Sequence, residues 1–302
     1  MNAQETILNA RRRETAVPAF NIPYLPMVQP VANAVADEKI AAIIHVARVE
    51  WEKFSAQSLE EVAREYRKYE KSGFTLLGLD HVPAIDEDQK PVDYRPIIQR
   101  AIDAGYQSVM IDGSRLDLGA NIRVTAEIAD LAHNAGLACE GELGAVMGHE
   151  SGPAKPYEEI FRSRLGFTDP EEAKRFAAES RCDWLSVAVG NIHGAVAEAT
   201  RHQKKPAARL DIDHIKKLHA ITGLPLVLHG GSGIPSEFIR QAIKAGIAKI
   251  NVGTEIRQAY EKSMEEKPGN IAAAQERVYF RVREIITDML GTPESRPVEP
   301  RP

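Results

Sequence analysis

The sequence predicts an α/β fold, a (β/α)8 TIM barrel, and three observations predict it. Eight short apolar runs alternate with longer amphipathic stretches along the chain, the pattern of parallel strands joined by helical crossovers. Gly follows a helical stretch and precedes an apolar run at Ala104-Gly105, Ala135-Gly136, Thr222-Gly223 and Ala245-Gly246, where a left-handed residue closes a helix at least cost. Polar residues that a barrel does not need for packing collect at the carboxyl ends of the runs, and active sites are built on that rim.

In chain order the strands are expected at 17–21, 41–46, 74–79, 107–111, 137–143, 183–189, 224–229 and 248–252. Helices are expected at 93–104, 121–135, 170–180, 212–222 and 236–245, with a charged helical extension over 271–290. Residues 1–290 therefore read as one barrel domain and 291–302, rich in Pro, as a flexible tail. A doubly wound sheet shares the same alternation and stays open on pattern alone. Two stretches break the rhythm: a polar insert at 82–93, directly after the third strand, and a long polar stretch at 144–168, after the fifth. Loops of that length in a compact domain are usually functional or disordered.

Composition narrows the class. The 302 residues are 43% hydrophobic and 27% charged, ordinary for a globular chain that buries a large core. A net charge of −5 argues against a general nucleic-acid binder. No apolar stretch approaches the roughly 18–20 residues that span a bilayer. Arg11, Arg12 and Arg13 lack the apolar segment of a secretory signal. Two Cys, with no disulfide framework, fit a reducing cytoplasm.

The strand ends carry Asn21, Asp80-His81, Asp112, Glu142, Asn191 to Gly194, His229 to Ser232 and Asn251 to Thr254. His81, His193 and His229 come from three strand ends and Glu142 from a fourth. Three neutral imidazoles with a carboxylate match a catalytic divalent site that keeps one position open. Any one of these histidines alone reads as readily as a packed core or surface residue. Adjacent strand residues point to opposite faces, so Asp80 and His81 serve one site only where the chain turns. Asp80 is then a carboxylate beside the metal, able to move a proton to or from a substrate hydroxyl; its bland reading is a helix cap. Gly230, Gly231 and Ser232, with Thr254 after the last strand, match the phosphate site that many barrels form beyond strands seven and eight, although tight turns use glycine too.

These motifs resemble those of class II, metal-dependent ketose-bisphosphate aldolases, which include the fructose- and tagatose-bisphosphate enzymes. The pieces are Asp80-His81, Ser108 to Ser114, Glu140-Gly141-Glu142-Leu143-Gly144, Val187 to Gly190 leading to His193-Gly194, Leu228 to Ser232, and Lys249 to Val252, in the family order from about Val17 to Tyr260. The resemblance implies retro-aldol cleavage of a phosphorylated ketose to dihydroxyacetone phosphate and an aldehyde, through a metal-stabilised enediolate. It implies His81, His193 and His229 as metal ligands, with Glu142 a further carboxylate near the metal. Asp80 corresponds to the residue that exchanges a proton with the C4 hydroxyl, and Glu150 to the carboxylate that protonates the enediolate carbon. Asn21, Gly194, Gly230, Gly231, Ser232, Asn251, Gly253 and Thr254 correspond to substrate and phosphate binding. The expected cofactor is a divalent metal, zinc first, with a monovalent cation as a further candidate. The expected assembly is a homodimer or homotetramer, with neither nucleic acid nor membrane as partner.

Departures from the family pattern touch the sugar rather than the metal. His45-Val46-Ala47-Arg48 stands where relatives often carry a phosphate-binding Ser, Val82 replaces a Gly, and Gly253 replaces an acidic residue. Sugar identity and the second phosphate stay open. Two rival readings are a non-catalytic barrel subunit supporting an active aldolase and a metal-dependent hydrolase. Retention of Asp80, the three His and Glu150 argues against the first. The lack of His-x-His after the first strand argues against the second.

Overall fold

The structure is a computed structural model and describes residues 1–146, 157–192 and 208–292. Its strands are β1 (Val17–Asn21), β2 (Ala42–Ala47), β3 (Thr75–Asp80), β4 (Val82–Pro83), β5 (Ser108–Asp112), β6 (Ala138–Leu143), β7 (Trp184–Val187), β8 (Leu226–Leu228) and β9 (Ile247–Val252). All pair in parallel, in the order β3-β2-β1-β9-β8-β7-β6-β5-β4, and the pairing of Gly78 with Ser108 joins β3 to β5. The sheet is therefore a closed barrel of eight strands; the doubly wound alternative is excluded. The two-residue β4 lies beside β5 and continues β3 past His81.

Helices stand where the amphipathic stretches predict them, at Tyr94–Asp103, Leu118–Asn134, Pro170–Ser180, Ile212–Thr222, Ser236–Ala245 and Ile271–Leu290. Local chemistry fixes their ends. Asp169 caps Pro170–Ser180 by accepting from the Glu171 and Glu172 amides, with Pro170 in the first turn. Gly223 ends Ile212–Thr222 at φ 68°, in the left-handed region that costs Gly least. The extension Ile271–Leu290 buries Ala274, Val278, Val282, Ile285, Ile286 and Met289, one helical stripe, and packs on Thr254–Glu266 and Val28–Asp37. Residues 293–302, most of the expected tail, lie outside the described residues.

Inside the barrel two levels differ. The lower level is apolar, with Val17, Ala19, Ile43, Leu76, Ala138, Trp184, Val227 and Ala248 packed against Ala3, Ile7 and Ala10. Those last three lie on the helix Ala3–Arg12, which plugs the amino end and whose first turn is capped by Asn2. Ile7 is fully buried there, worth about 1.5–3 kcal/mol. The upper level is polar and carries the site.

Candidate active site

The chain turns where Asp80 and His81 require it. β3 ends at Asp80, His81 takes φ 29°, and β4 starts at Val82. A non-glycine residue held in that region costs about 1–3 kcal/mol. The result is that two consecutive side chains reach one cluster, with His229. Asp80 is buried, and both of its oxygens are engaged. Asn21 Nδ2 donates to Oδ2 at 2.8 Å and Asn251 Nδ2 donates to Oδ1 at 3.0 Å. Burial opposes its charge, but His81, His45, His229 and Lys249 outweigh that and hold the carboxyl well below its usual range. Asp80 is thus ionised and fixed in orientation.

His229, just past β8, is wholly buried. Its Nε2 lies 2.7 Å from Glu140 Oε1. Glu140 Oε2 accepts from Lys249 Nζ at 2.6 Å and from Trp184 Nε1 at 2.5 Å. Burial opposes ionisation of Glu140, yet Lys249 and His229 bring its carboxyl down to about 2. An ionised Glu140 can only accept, so the His229 proton sits on Nε2 and its Nδ1 carries the lone pair. His81 Nδ1 lies 3.4 Å from Asp112 Oδ2. Asp112 is also held near 2 against its burial, by His81 and Ser114. Burial opposes a charge on His81, but Asp80, Asp112 and Glu142 outweigh it and raise the imidazole to about 10, so both ring nitrogens carry a proton.

His81 Nε2 and His229 Nδ1 then face each other at 2.7 Å. His81 Nε2 donates to the His229 Nδ1 lone pair there, and a divalent ion would take the place of that proton. Glu142 Oε2 lies 3.6 Å from His229 Nδ1 and 3.8 Å from His81 Nδ1, buried and without a hydrogen bond. Burial, then the charge of Asp112, pushes the Glu142 carboxyl well above its usual value. Two imidazole nitrogens and an unsatisfied carboxylate oxygen, with each imidazole's second nitrogen held by another carboxylate, are the donor set of a divalent ion. Asp80 falls within ligand reach of both histidines, and Asp112 of His81 and Glu142; both Asp80 oxygens accept from asparagines and Asp112 Oδ1 accepts from Ser114.

Beside this cluster, Gly230 at φ 62°, Gly231 and Ser232 leave β8 and meet the end of β9. A Cβ on Gly231 would fall 2.6 Å from Ile250 Cγ2 and 3.0 Å from the Asn251 carbonyl, so only glycine lets the loop lie this close. Gly253 precedes Thr254, the first residue of the helix Thr254–Glu266, and as N-cap offers no side chain to that amino end. Ser232 is buried and its Oγ accepts from the Glu255 amide at 3.4 Å.

Of the residues the sequence singles out, Asn21, Asp80, His81, Glu142, His229 and Asn251 converge, and Gly230, Gly231, Ser232, Gly253 and Thr254 border them. Glu150, His193 and Gly194 lie outside the described residues. Glu140, Lys249 and His45 are interior residues that sequence reasoning leaves outside the site, with Lys249 reading as structural and His45 as a weaker metal candidate. Their signal was strand parity: Glu140 shares a face with Glu142, and Lys249 with Asn251. His45 has room because its strand neighbour is Gly78, where a Cβ would fall 2.5 Å from the ring.

Residues 1–292 match the family model of class II fructose-bisphosphate aldolase. The structure is similar to the YdjI aldolase of Escherichia coli K12, with 27% identity, a TM-score of 0.75, and 98% of this chain and 100% of that one covered. It is similar to a candidate fructose-1,6-bisphosphate aldolase from Coccidioides immitis, at 26% identity, TM-score 0.76 and 96% of each chain. A fructose-bisphosphate aldolase of Campylobacter jejuni, at 18% identity and TM-score 0.72 over 98% of this chain and 96% of that one, shares the fold. The chain belongs to the class II fructose-bisphosphate aldolase family, and is a lyase of that class. Among the described residues no helix is long and apolar enough to cross a membrane.

Proposed function

We propose that this protein reversibly cleaves a phosphorylated ketose to dihydroxyacetone phosphate and an aldehyde. The observation that carries the reading is the meeting of His81 Nε2 and His229 Nδ1 beside the unsatisfied Glu142 Oε2, with an ionised Asp80 next to them. His81, His229 and Glu142, with His193 from the segment after β7, would hold the divalent ion, zinc first. When bound, that ion supplies a Lewis acid for the negative charge developing on the substrate C2 oxygen.

The remaining chemistry belongs to the chain. Asp80 takes the proton of the C4 hydroxyl, the C4–O electrons close the aldehyde carbonyl, and the C3–C4 pair passes to the enediolate. Asn21 and Asn251 keep Asp80 aimed through both turnover directions. Glu150, outside the described residues, delivers the proton to C3, releasing dihydroxyacetone phosphate. Gly230 to Ser232, Asn251 and Gly253-Thr254, with Gly194, hold the phosphate at the amino end of the helix Thr254–Glu266. We assign the whole activity to residues 1–290, acting in the cytoplasm as a homodimer or homotetramer.

The test is release of dihydroxyacetone phosphate from a panel of phosphorylated ketoses, with and without chelator. Activity that disappears with chelator and returns with a divalent ion is expected. A protein without activity on any ketose that also fails to exchange the C3 proton of dihydroxyacetone phosphate with solvent deuterium is instead the support subunit. Glu150→Gln separates its role from that of Asp80: it should slow this exchange more than it weakens dihydroxyacetone phosphate binding.

A further inference from the structure

The ends of β1 and β2 form the part of the rim reached by passing from the Gly230–Ser232 loop across Asp80. β1 separates β9 from β2 in the sheet, and Asp80 takes one hydrogen bond from each side, from Asn251 on β9 and from Asn21 on β1. With the phosphate of the dihydroxyacetone half at β8 and β9 and the C4 hydroxyl at Asp80, the carbons beyond C4 run toward Asn21, Ala47 and the helix Arg48–Lys53.

That region is lined by carboxyl groups. Glu50 is 7% exposed. Its Oε2 accepts from the Ala47 amide at 2.7 Å, and it also takes a hydrogen bond from Asn21, the residue that orients Asp80. Burial pushes the Glu50 carboxyl up to about 8. A protonated carboxyl donates and accepts, and an ionised one accepts. Both forms suit a sugar hydroxyl, and neither gives a phosphate dianion a positive partner. The basic side chain beside it, Arg48, is already engaged, at 2.8 Å from Glu52 and 3.9 Å from Asp86. Glu87 adds a further negative charge near Glu52. Arg48 and Lys53 here stand against Glu52, Asp86 and Glu87, so carboxylates outnumber cations and a phosphate arriving here meets net repulsion.

We propose that this end of the cavity takes the hydroxyl-bearing, unphosphorylated part of the ketose, with Glu50 as the residue that selects it. The substrate then carries one phosphate, on the dihydroxyacetone half. The inference rests on the aldolase reading and narrows it.

Condensation of dihydroxyacetone phosphate with paired aldehydes tests it: glyceraldehyde against glyceraldehyde 3-phosphate, and erythrose against erythrose 4-phosphate. The wild-type protein should favour the unphosphorylated member in kcat/KM by about tenfold or more. Glu50→Gln removes the ionisable group while keeping an acceptor for the Ala47 amide. Glu52→Gln releases Arg48 and does not touch a buried side chain, so it serves if Glu50→Gln fails to fold. Glu52→Gln should shift the ratio toward the phosphorylated aldehyde by about threefold or more, and Glu50→Gln should do so above about pH 8, where the Glu50 carboxyl ionises. Preference for the phosphorylated aldehydes, failure of both unphosphorylated ones to condense, or an unchanged ratio in the variants overturns the proposal. Deuterium exchange into dihydroxyacetone phosphate keeps the two failures apart. Exchange that persists leaves the aldolase reading standing while this one falls, and its absence removes both.

Discussion

The two ends of the barrel interior are built from the same alternation and do opposite things. At the amino end the inward positions are Val17, Ile43, Leu76, Ala138, Trp184 and Val227, closed by Ala3, Ile7 and Ala10. At the carboxyl end the inward positions are Asn21, Asp80, Asp112, Glu142, His229 and Asn251, with Glu140, Lys249 and His45 beneath them. Burying that many charges costs folding energy unless each is paired. The chain meets the cost with Lys249–Glu140–His229 and with the two asparagines on Asp80. It leaves Glu142 Oε2 and Asn251 Oδ1 without partners. Unsatisfied buried acceptors are expensive, and here they face the place where an ion and a substrate oxygen belong. One end of the barrel stores stability, and the other spends part of it on chemistry.

The largest effect should come from breaking the carboxyl end alone. Asp80→Asn keeps the shape of the side chain but cannot accept the C4 proton. Turnover should fall by about 10²–10⁴ while bound metal, measured by elemental analysis, stays stoichiometric. Near wild-type turnover would transfer the base to another group. The amino end should give the mirror image. Ile7→Ala removes a fully buried side chain from the plug, and unfolding in urea should show a loss of about 2–5 kcal/mol with kcat unchanged. A variant that loses kcat in proportion to stability would show that the two ends are not separable.

How much of this was legible in the sequence follows the same division. Apolar runs and Gly punctuation place the eight long strands, and periodicity places six helices, because burial leaves a direct mark on the sequence. The structure adds helices at Val28–Asp37, Arg48–Lys53 and Leu59–Tyr69 between the early strands, and Tyr157–Ser163 within the long polar stretch. The expected polar insert is partly ordered: β4 continues β3, Ile85 bridges Pro91, and Asp86 accepts from the Asp88 and Lys90 amides. The amino-terminal plug escaped notice although Ala3, Ile7 and Ala10 carry helical spacing. At the site, strand-end position was enough to collect Asp80, His81, Glu142 and His229, and the need for a turn at Asp80-His81 is met by the φ of 29° at His81. The network beneath them was not legible. A Lys and a Glu inside apolar strands have no local signature, and only the closed barrel brings β6 against β9 across its interior.

The smallest effect concerns the boundary between the two ends, where Glu50 is buried without a cationic partner in its own hydrogen bonds. Its carboxyl is raised by burial from 4.5 to about 8, while in the unfolded chain it titrates at its ordinary value. Between those values the folded chain binds more protons than the unfolded one, so folding stability falls as pH rises through that window. Below it the group is neutral in both states and contributes nothing to the pH dependence. Glu50→Gln cannot ionise and keeps an acceptor for the Ala47 amide, so it should escape this loss. Urea unfolding of both proteins at about pH 5.5 and about pH 8.5 should show the variant gaining on wild type by about 1 kcal/mol or more at the higher value. Parallel pH dependence in the two proteins would mean that Glu50 is ionised throughout, and its hydrogen bonds from Ala47 and Asn21 would then have to carry a full buried charge.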